Sequence, residues 1–79
     1  MDKLKTATGK EFECAALTRT ENRIYIRVCG SSIGEVANIF SDPRETEKLW
    51  YNDEYLSQYT QVAVIVPEAG CIRVGLRRA

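Results

Sequence analysis

Hydrophobic and polar residues alternate along most of this chain, and such alternation is the pattern of a β-strand with one buried face. The alternating segments are residues 3–7, 11–17, 23–29, 60–66 and 71–77. Thr8 with Gly9 separates the first two segments, and the turn-forming residues 67–70 separate the last two. We therefore predict five strands, of which four form two β-hairpins.

Residues 31–52 are the one stretch in which apolar residues recur at helical spacing. Ser32 and Glu35 are spaced as a capping box, in which each side chain binds the other residue's backbone N–H, so a helix is predicted to begin at Ile33. Its apolar stripe consists of Ile33, Val36, Ala37 and Phe40. This stripe needs another element to pack against.

Asp42 and Pro43 interrupt the first helix and predict the start of a second one. Proline disfavours a helical residue before it, whereas Asp42 suits the N-cap and Pro43 the first helical position of a new helix. The second helix would carry Leu49 and Trp50 as its apolar residues. Residues 53–59 are predicted to form a loop, with one or two of its tyrosines folded back on the core.

The predicted strands each have only one apolar face, which is typical of an antiparallel sheet covered on one side. We therefore predict a two-layer α+β domain (βββααββ), in which a five-stranded antiparallel sheet is covered by the short helical segment. This single domain spans residues 1–79, and its second hairpin can join either edge of the sheet. The predicted core is Leu4, Phe12, Cys14, Ile24, Ile26, Val28, Ile33, Val36, Ala37, Phe40, Leu49, Val62, Val64, Ile72, Val74 and Leu76.

The formal net charge is zero, but the charges are distributed unevenly along the chain. Residues 1–30 carry six basic and four acidic side chains, residues 31–58 carry two and six, and residues 59–79 carry three and one. This segregation suits head-to-tail self-association or a charged partner, although an ordinary solvated surface is its more common meaning.

Cysteine content and hydropathy favour a cytoplasmic protein. No segment is apolar enough to span a bilayer, and the N-terminal MDKLKT lacks the apolar core of a signal peptide. Cys14, Cys29 and Cys71 are odd in number and have no CxxC spacing, so we predict neither a disulfide framework nor a zinc site.

Catalytic motifs are absent from the sequence, and so is histidine, the commonest general base and metal ligand. Cys29 and Cys71 would lie near Arg27 and Arg73 on the open sheet face, where a positive neighbour lowers the pKa of a thiol. The sequence provides no histidine or other base near these cysteines to deprotonate their thiols. We therefore predict that the protein is not an enzyme and binds neither a cofactor nor a metal.

The open face of the predicted sheet is the first candidate interaction surface. It carries Arg23, Tyr25, Arg27, Gln61, Ile65, Arg73 and Arg77. Arginine and aromatic residues are enriched in protein interfaces, and they also suit single-stranded nucleic acid. A net charge of zero counts against nucleic acid, because affinity for the phosphate backbone comes mainly from excess positive charge. A solvated face without a partner is the simplest alternative.

An aromatic cluster is the second candidate surface. Its members are Trp50, Tyr51, Tyr55 and Tyr59. Tryptophan and tyrosine anchor interfaces because they bury a large area at little entropic cost. The alternative is that these residues complete a small core.

Three segments, LKTATGKEFEC, IFSDPRETEKL and YTQVAVIVPEAGCIRVGLR, together cover most of the chain. In these segments the chain resembles small uncharacterised proteins encoded in prophages of Gram-positive bacteria, several of which sit among phage structural genes. The resemblance implies a phage or prophage context and a structural or interaction role in virion or tail assembly. It implies no functional residue, because the segments contain no catalytic motif.

These features together favour a non-enzymatic, phage-like structural or accessory protein that works by protein–protein association. The partner would be a second copy, in a homo-oligomer, or a phage assembly, and the protein would be cytoplasmic or part of a phage particle. An alternative is an inhibitor of a host defence or nucleic-acid enzyme. A third hypothesis is a single-stranded nucleic-acid binder that uses Arg23, Arg27, Arg73 and Arg77.

Overall fold

The fold is mostly β in the computed structural model, which describes residues 2–56, 58–59 and 61–78. The elements are β1 (Asp2–Lys5), β2 (Glu11–Arg19), β3 (Arg23–Cys29), α1 (Ile33–Phe40), α2 (Pro43–Thr46), β4 (Trp50–Tyr51), β5 (Glu54–Tyr55), β6 (Gln61–Glu68) and β7 (Cys71–Arg77). Within these described residues, seven strands form one antiparallel sheet in the order β5-β4-β1-β2-β3-β7-β6. The second predicted hairpin therefore joins the sheet beside β3. Thr60, predicted as a strand residue, lies outside the described residues.

The prediction of a two-layer α+β domain with a five-stranded sheet is wrong. The helices have only eight and four residues, so they are a minor part of a mostly β fold. The second helix ends at Thr46, and Trp50 belongs to β4 instead. Strands β4 and β5 form a hairpin whose turn residues Asn52 and Asp53 have φ of 49° and 71°, a conformation that Asn and Asp tolerate. Strands of two residues are too short to show an alternating pattern.

Both helix starts are confirmed. Ser32 Oγ accepts from the backbone N–H of Glu35 at 3.1 Å, and the backbone N–H of Ser32 donates to Glu35 Oε1 at 3.5 Å. The Asp42 side chain accepts from the backbone N–H of Arg44 at 3.0 Å, with Pro43 in the first turn. These contacts satisfy N–H groups that have no partner within a helix.

The core lies between the sheet and the segment that contains α1 and α2. Its buried members are Leu4, Phe12, Cys14, Ile24, Ile26, Val28, Val36, Phe40, Leu49, Tyr51, Leu56, Ile72, Val74 and Leu76. Two predicted members, Ile33 and Ala37, are exposed, because only the Val36 and Phe40 side of α1 faces the sheet. Tyr51 and Leu56 enter the core from the chain that follows α2. The alternative that the aromatic residues complete a small core is thus correct for Tyr51, whereas the sequence pattern does not indicate Leu56.

Two β-bulges change which residues face the core. One lies between Cys14 and Ala16 in β2, and the other lies between Val62 and Val64 in β6. An extra residue in one strand reverses the inward and outward positions beyond it. Ile65 therefore packs against the core, and its predicted place on the open face is wrong.

Cys29 and Cys71 are directly opposite each other on β3 and β7, with their Cα atoms 4.3 Å apart, and they form a disulfide. The interpretation that the cysteines form no disulfide is wrong, because the pair is created by strand pairing and not by spacing in the sequence. Cys14 is a free thiol whose pKa burial raises to about 12. The cysteine count consequently no longer supports a cytoplasmic location.

None of the helices described is long and apolar enough to cross a bilayer.

Candidate interaction surface on the open sheet face

The register of β3 against β7 brings arginines into directly opposed pairs. Arg23 lies opposite Arg77, and Arg27 lies opposite Arg73, with Tyr25 between the two pairs. We call these five residues the arginine–tyrosine cluster. They are five of the seven residues predicted on the open sheet face. Of the other two, Gln61 lies opposite Arg77 on β6, and Ile65 faces the core.

Tyr25 is the central residue of this cluster. Its ring lies against Gly75, where an added Cβ would stand 2.9 Å from Tyr25 Cε1. Arg23 Nη1 donates to the Tyr25 hydroxyl at 3.2 Å, and the Arg73 guanidinium lies 5.6 Å from the ring centroid. Tyr25 therefore contacts one arginine of each pair and orients both, because a guanidinium both donates to oxygen and stacks on aromatic rings.

The cluster has more positive than negative charge. Arg27 forms an ion pair with Glu68, with Nε and Oε1 3.6 Å apart. Among the described residues, Arg23, Arg73 and Arg77 form no ion pair. Like charges directly opposite each other in a sheet are destabilising. An anion bound between the strands would relieve this repulsion, so the cluster is suited to binding acidic groups.

The disulfide lies at one end of the cluster. Cys29 and Cys71 are two residues along β3 and β7 from the pair formed by Arg27 and Arg73. A covalent link at this point holds the two strands in register against the repulsion between their arginines. The reactive thiol considered for these two cysteines is therefore not present in the oxidised protein.

The predicted aromatic surface is divided by the fold. Trp50 and Tyr55 pair across β4 and β5 with ring centroids 5.6 Å apart, and Lys5 Nζ lies 5.4 Å from the Trp50 ring. Tyr51 is instead buried, and Tyr59 packs against the core. Two of the four aromatic residues are thus structural, and the other two form a small patch on strands at the opposite edge of the sheet.

Tyr51 has a specific structural role. Its hydroxyl donates to Asp2 Oδ2 at 2.6 Å, and burial together with this bond raises the pKa of Tyr51. The same hydrogen bond is the main cause that lowers the pKa of Asp2, with a second bond from Asn52 Nδ2. These contacts fasten the β4–β5 hairpin to β1.

Glu45 is a polar residue whose importance the sequence does not reveal. Its carboxylate accepts from the hydroxyls of Thr6 and Thr8 and forms a 3.1 Å ion pair with Lys10. The bond from Thr8 is the largest of the causes that lower the pKa of Glu45 to about 2. Because the side chain is buried and fully partnered, we interpret this group as a structural link between α2 and the turn that joins β1 to β2.

Metal-binding side chains are not clustered in the residues that the structure describes, where no group of three or more could hold an ion. No family model, curated protein or solved structure matches this chain. The resemblance to prophage proteins therefore stays a prediction. Among the described residues, the arginine–tyrosine cluster is the strongest candidate for an interaction surface.

Proposed function

We propose that this protein is a non-enzymatic association module that binds an acidic protein surface through the arginine–tyrosine cluster. A phage or prophage assembly is the context that the sequence resemblance favours. In that context the protein is a structural or accessory component, and its partner is another assembly protein or a second copy of itself.

The observation that carries this proposal is the double arginine pair on β3 and β7. Arg23 lies directly opposite Arg77, and Arg27 lies directly opposite Arg73, so each pair consists of like-charged residues at adjacent backbone positions. This arrangement costs stability in the isolated protein and becomes favourable when carboxylates are bound. Arginine and tyrosine are also the side chains that contribute most often to interface energy.

Nucleic acid is a weaker candidate for this surface. Base stacking requires an open aromatic face, whereas the Tyr25 ring is already in contact with Gly75 and with the Arg73 guanidinium. Glu68 adds a negative charge beside Arg27, and the net charge of the chain is zero. These features favour a carboxylate-bearing partner over a phosphodiester chain.

Affinity purification from a prophage-carrying Gram-positive host tests the proposal. Tagged wild-type protein is compared with the double variant Arg23→Glu and Arg77→Glu, and with Lys48→Glu as a control on an exposed site outside the cluster. We expect phage assembly proteins to be enriched with the wild type and the control, and lost with the double variant. Identical partners for all three proteins would contradict the use of this cluster.

Two further results would change the proposal. Enrichment of a host nuclease or polymerase in place of assembly proteins would favour the host-inhibitor alternative. Sedimentation velocity at micromolar concentration checks self-association, which should weaken in the double variant and at high salt if the partner is a second copy.

A further inference from the structure

The two edges of the sheet differ in length and in charge. Within the described sheet, β6 is paired with β7 on one side only, and β5 forms the other edge. Strand β5 has two residues, whereas β6 has eight, and its residues 61–67 are uncharged. A long apolar edge strand is a template for pairing with another strand, and natural proteins commonly prevent such pairing with charged side chains on the edge. The β6 edge has no charged side chain along residues 61–67.

The backbone N–H and C=O groups of Ile65 point out of this edge. The Cα atoms of Cys29 and Cys71 are 4.3 Å apart, which matches the about 4.5 Å of an antiparallel pair without mutual hydrogen bonds and not the about 5.5 Å of a bonded pair. The backbone groups of Cys71 therefore face β6, where Glu68 is its partner. Bonded and non-bonded pairs alternate, and the register is regular here, so Val66 also bonds to β7 whereas Ile65 faces outward.

The position of Pro67 supports this orientation independently. Pro67 is two residues from Ile65, so its backbone also faces away from β7. Proline has no N–H, and within sheets it occurs on edge strands where that group would face solvent. Pro67 removes one donor from the edge, but the N–H of Ile65 and the C=O groups of both residues still point toward an added strand.

The β6 edge is complementary to itself. When two β6 strands pair antiparallel with Ile65 of one copy opposite Ile65 of the other, these two residues exchange two hydrogen bonds. Val64 of one copy then lies opposite Val66 of the other, and it covers a side chain that is 36% exposed in the single chain. Opposed like charges would destabilise such a pair, and the uncharged residues 61–67 bring none together.

A groove beside β6 has room for a side chain from the second strand. Its apolar lining comes from Phe40 and Pro43 in the helical segment and from Val62 and Ile65 in β6. Ile65 is only partly buried by its own chain. The Ile65 side chain of a second copy would pack beside it, so the added strand gains side-chain contacts as well as backbone hydrogen bonds.

From these observations we infer that two copies of the chain associate edge to edge through β6, antiparallel, with Ile65 at the two-fold axis. The contact uses the same patch on both copies, and the short β5 edge is not suited to extend it, so assembly stops at a dimer. A chain of 79 residues buries a small fraction of its surface by itself, so the added contact also increases its stability.

This inference goes beyond the proposed function, because the pairing uses the backbone and valines of β6 and no arginine of the arginine–tyrosine cluster. A two-fold axis perpendicular to the sheet keeps the open faces of both copies on the same side. The dimer would therefore present two arginine–tyrosine clusters on one face of a continuous sheet.

Hydrogen exchange of backbone N–H groups, followed by NMR at low and high protein concentration, tests the pairing directly. We expect the Ile65 N–H to exchange at least about tenfold more slowly at high concentration, because it is bonded only in the dimer. The Val66 N–H is the internal control and should be protected at both concentrations, since it bonds to β7. Rapid exchange of the Ile65 N–H at high concentration would overturn the inference.

Sedimentation equilibrium of variants tests whether β6 is the interface. Val66→Lys places a charge on this edge and should raise the dimer Kd at least about tenfold. Ile33→Lys is the matched control, because Ile33 is a 46% exposed apolar residue on α1, and it should dimerise like the wild type. Circular dichroism checks that both variants fold. A wild type that stays monomeric at millimolar concentration, or equal Kd values for the wild type and Val66→Lys, would overturn the inference.

A further variant separates this inference from the proposed function. The double variant Arg23→Glu and Arg77→Glu should dimerise like the wild type at low and high salt, since no ion pair holds the β6 contact. A dimer that is lost in this variant but kept in Val66→Lys would overturn the β6 pairing and support self-association through the arginine–tyrosine cluster. A dimer that is lost only in Val66→Lys would support the β6 pairing, even if the double variant keeps every other partner and so contradicts the proposed function.

Discussion

The two polar clusters of this protein differ in how completely their charges are neutralised. Glu45 is buried, and its carboxylate is surrounded by the hydroxyls of Thr6 and Thr8 and by the ammonium group of Lys10. The arginine–tyrosine cluster is on the open face, and its four arginines form one ion pair, to Glu68, within the part of the chain that the structure describes. The charge of the first cluster is neutralised within the chain, whereas three arginines of the second form no ion pair among the described residues.

This difference distinguishes the structural role of the Glu45 cluster from the proposed binding role of the arginine–tyrosine cluster. A buried charge with all its partners present stabilises the fold, and removing any member leaves polar groups unsatisfied. Exposed like charges in opposed positions do the reverse, because the folded protein becomes more stable when one of them is exchanged. Stability measurements on variants of both clusters therefore test the functional assignment without knowledge of the partner.

The largest effect is expected from the disulfide at the end of the arginine–tyrosine cluster. Replacing Cys29 and Cys71 by serine should lower the free energy of unfolding by about 2–4 kcal/mol, because the link closes a long loop in the unfolded chain. The two residues are 42 positions apart. Urea unfolding measures the loss, and a reductant should destabilise the wild type but not the double variant. Equal stability of the wild type with and without reductant would contradict this role.

Gly75→Ala is expected to have the next largest effect on the same cluster. The new Cβ would stand 2.8 Å from Val64 Cγ2 and 2.9 Å from Tyr25 Cε1, so the Tyr25 ring must move. Overpacking of this kind costs about 1–3 kcal/mol. Gly34→Ala is the control, because its Cβ meets only Ser32 Oγ at 3.8 Å and alanine favours a helix. Thermal unfolding should move in opposite directions for the two variants, and a neutral Gly75→Ala would show that the ring is not held there.

The Glu45 cluster predicts a specific dependence of stability on pH. The pKa of Glu45 is about 2 in the folded protein, below the ordinary 4.5 of an unfolded glutamate. Its stabilising contribution is therefore fully present above about pH 4.5 and is lost as the pH falls toward 2. Glutamine does not titrate, so the Glu45→Gln protein should lack the loss of stability that protonation of Glu45 causes in the wild type.

The comparison of the two proteins isolates Glu45 from other carboxylates. Asp2 and Asp42 also have lowered pKa values, and they titrate in both proteins. The stability difference between wild type and Glu45→Gln, measured by urea unfolding from pH 6 to pH 2, should shrink as the pH falls. A difference that does not change with pH would mean that the carboxylate charge is unimportant.

The smallest expected effect is a gain in stability, in contrast to the losses expected from the disulfide, Gly75 and Glu45 variants. Arg77→Glu replaces a repulsive pair with an attractive one opposite Arg23, and it should stabilise the protein by about 0.2–1 kcal/mol. The same variant should lose affinity for an acidic partner protein. Lys48→Glu makes the same change of charge and should alter neither property. An Arg77→Glu protein that is less stable than the wild type would indicate that Arg77 has a structural role.

Local pattern was sufficient to predict much of the sheet and of the candidate site. Strand β3 occupies its predicted residues, and α1 begins at Ile33, because alternation and capping act over a few neighbouring residues. For the same reason, the alternation in β3 and β7 placed Arg23, Tyr25, Arg27, Arg73 and Arg77 on one face. Conversely, the short hairpin after Leu49 has no periodic signal, so the sequence pattern predicts helix and loop there instead of strands.

Pairing between distant segments of the chain determined which of these residues are neighbours in the folded protein. The order of the strands put β7 beside β3, and this alone made opposed arginine pairs and a disulfide from residues more than forty positions apart. A single extra residue in β6 turned Ile65 toward the core, and the position of α2 beside the turn between β1 and β2 gave the Glu45 carboxylate its hydroxyl and ammonium partners. Which residues of a regular strand share a face is thus encoded locally, whereas the bulges that change the face and the neighbours across the sheet depend on long-range pairing that no local pattern specifies.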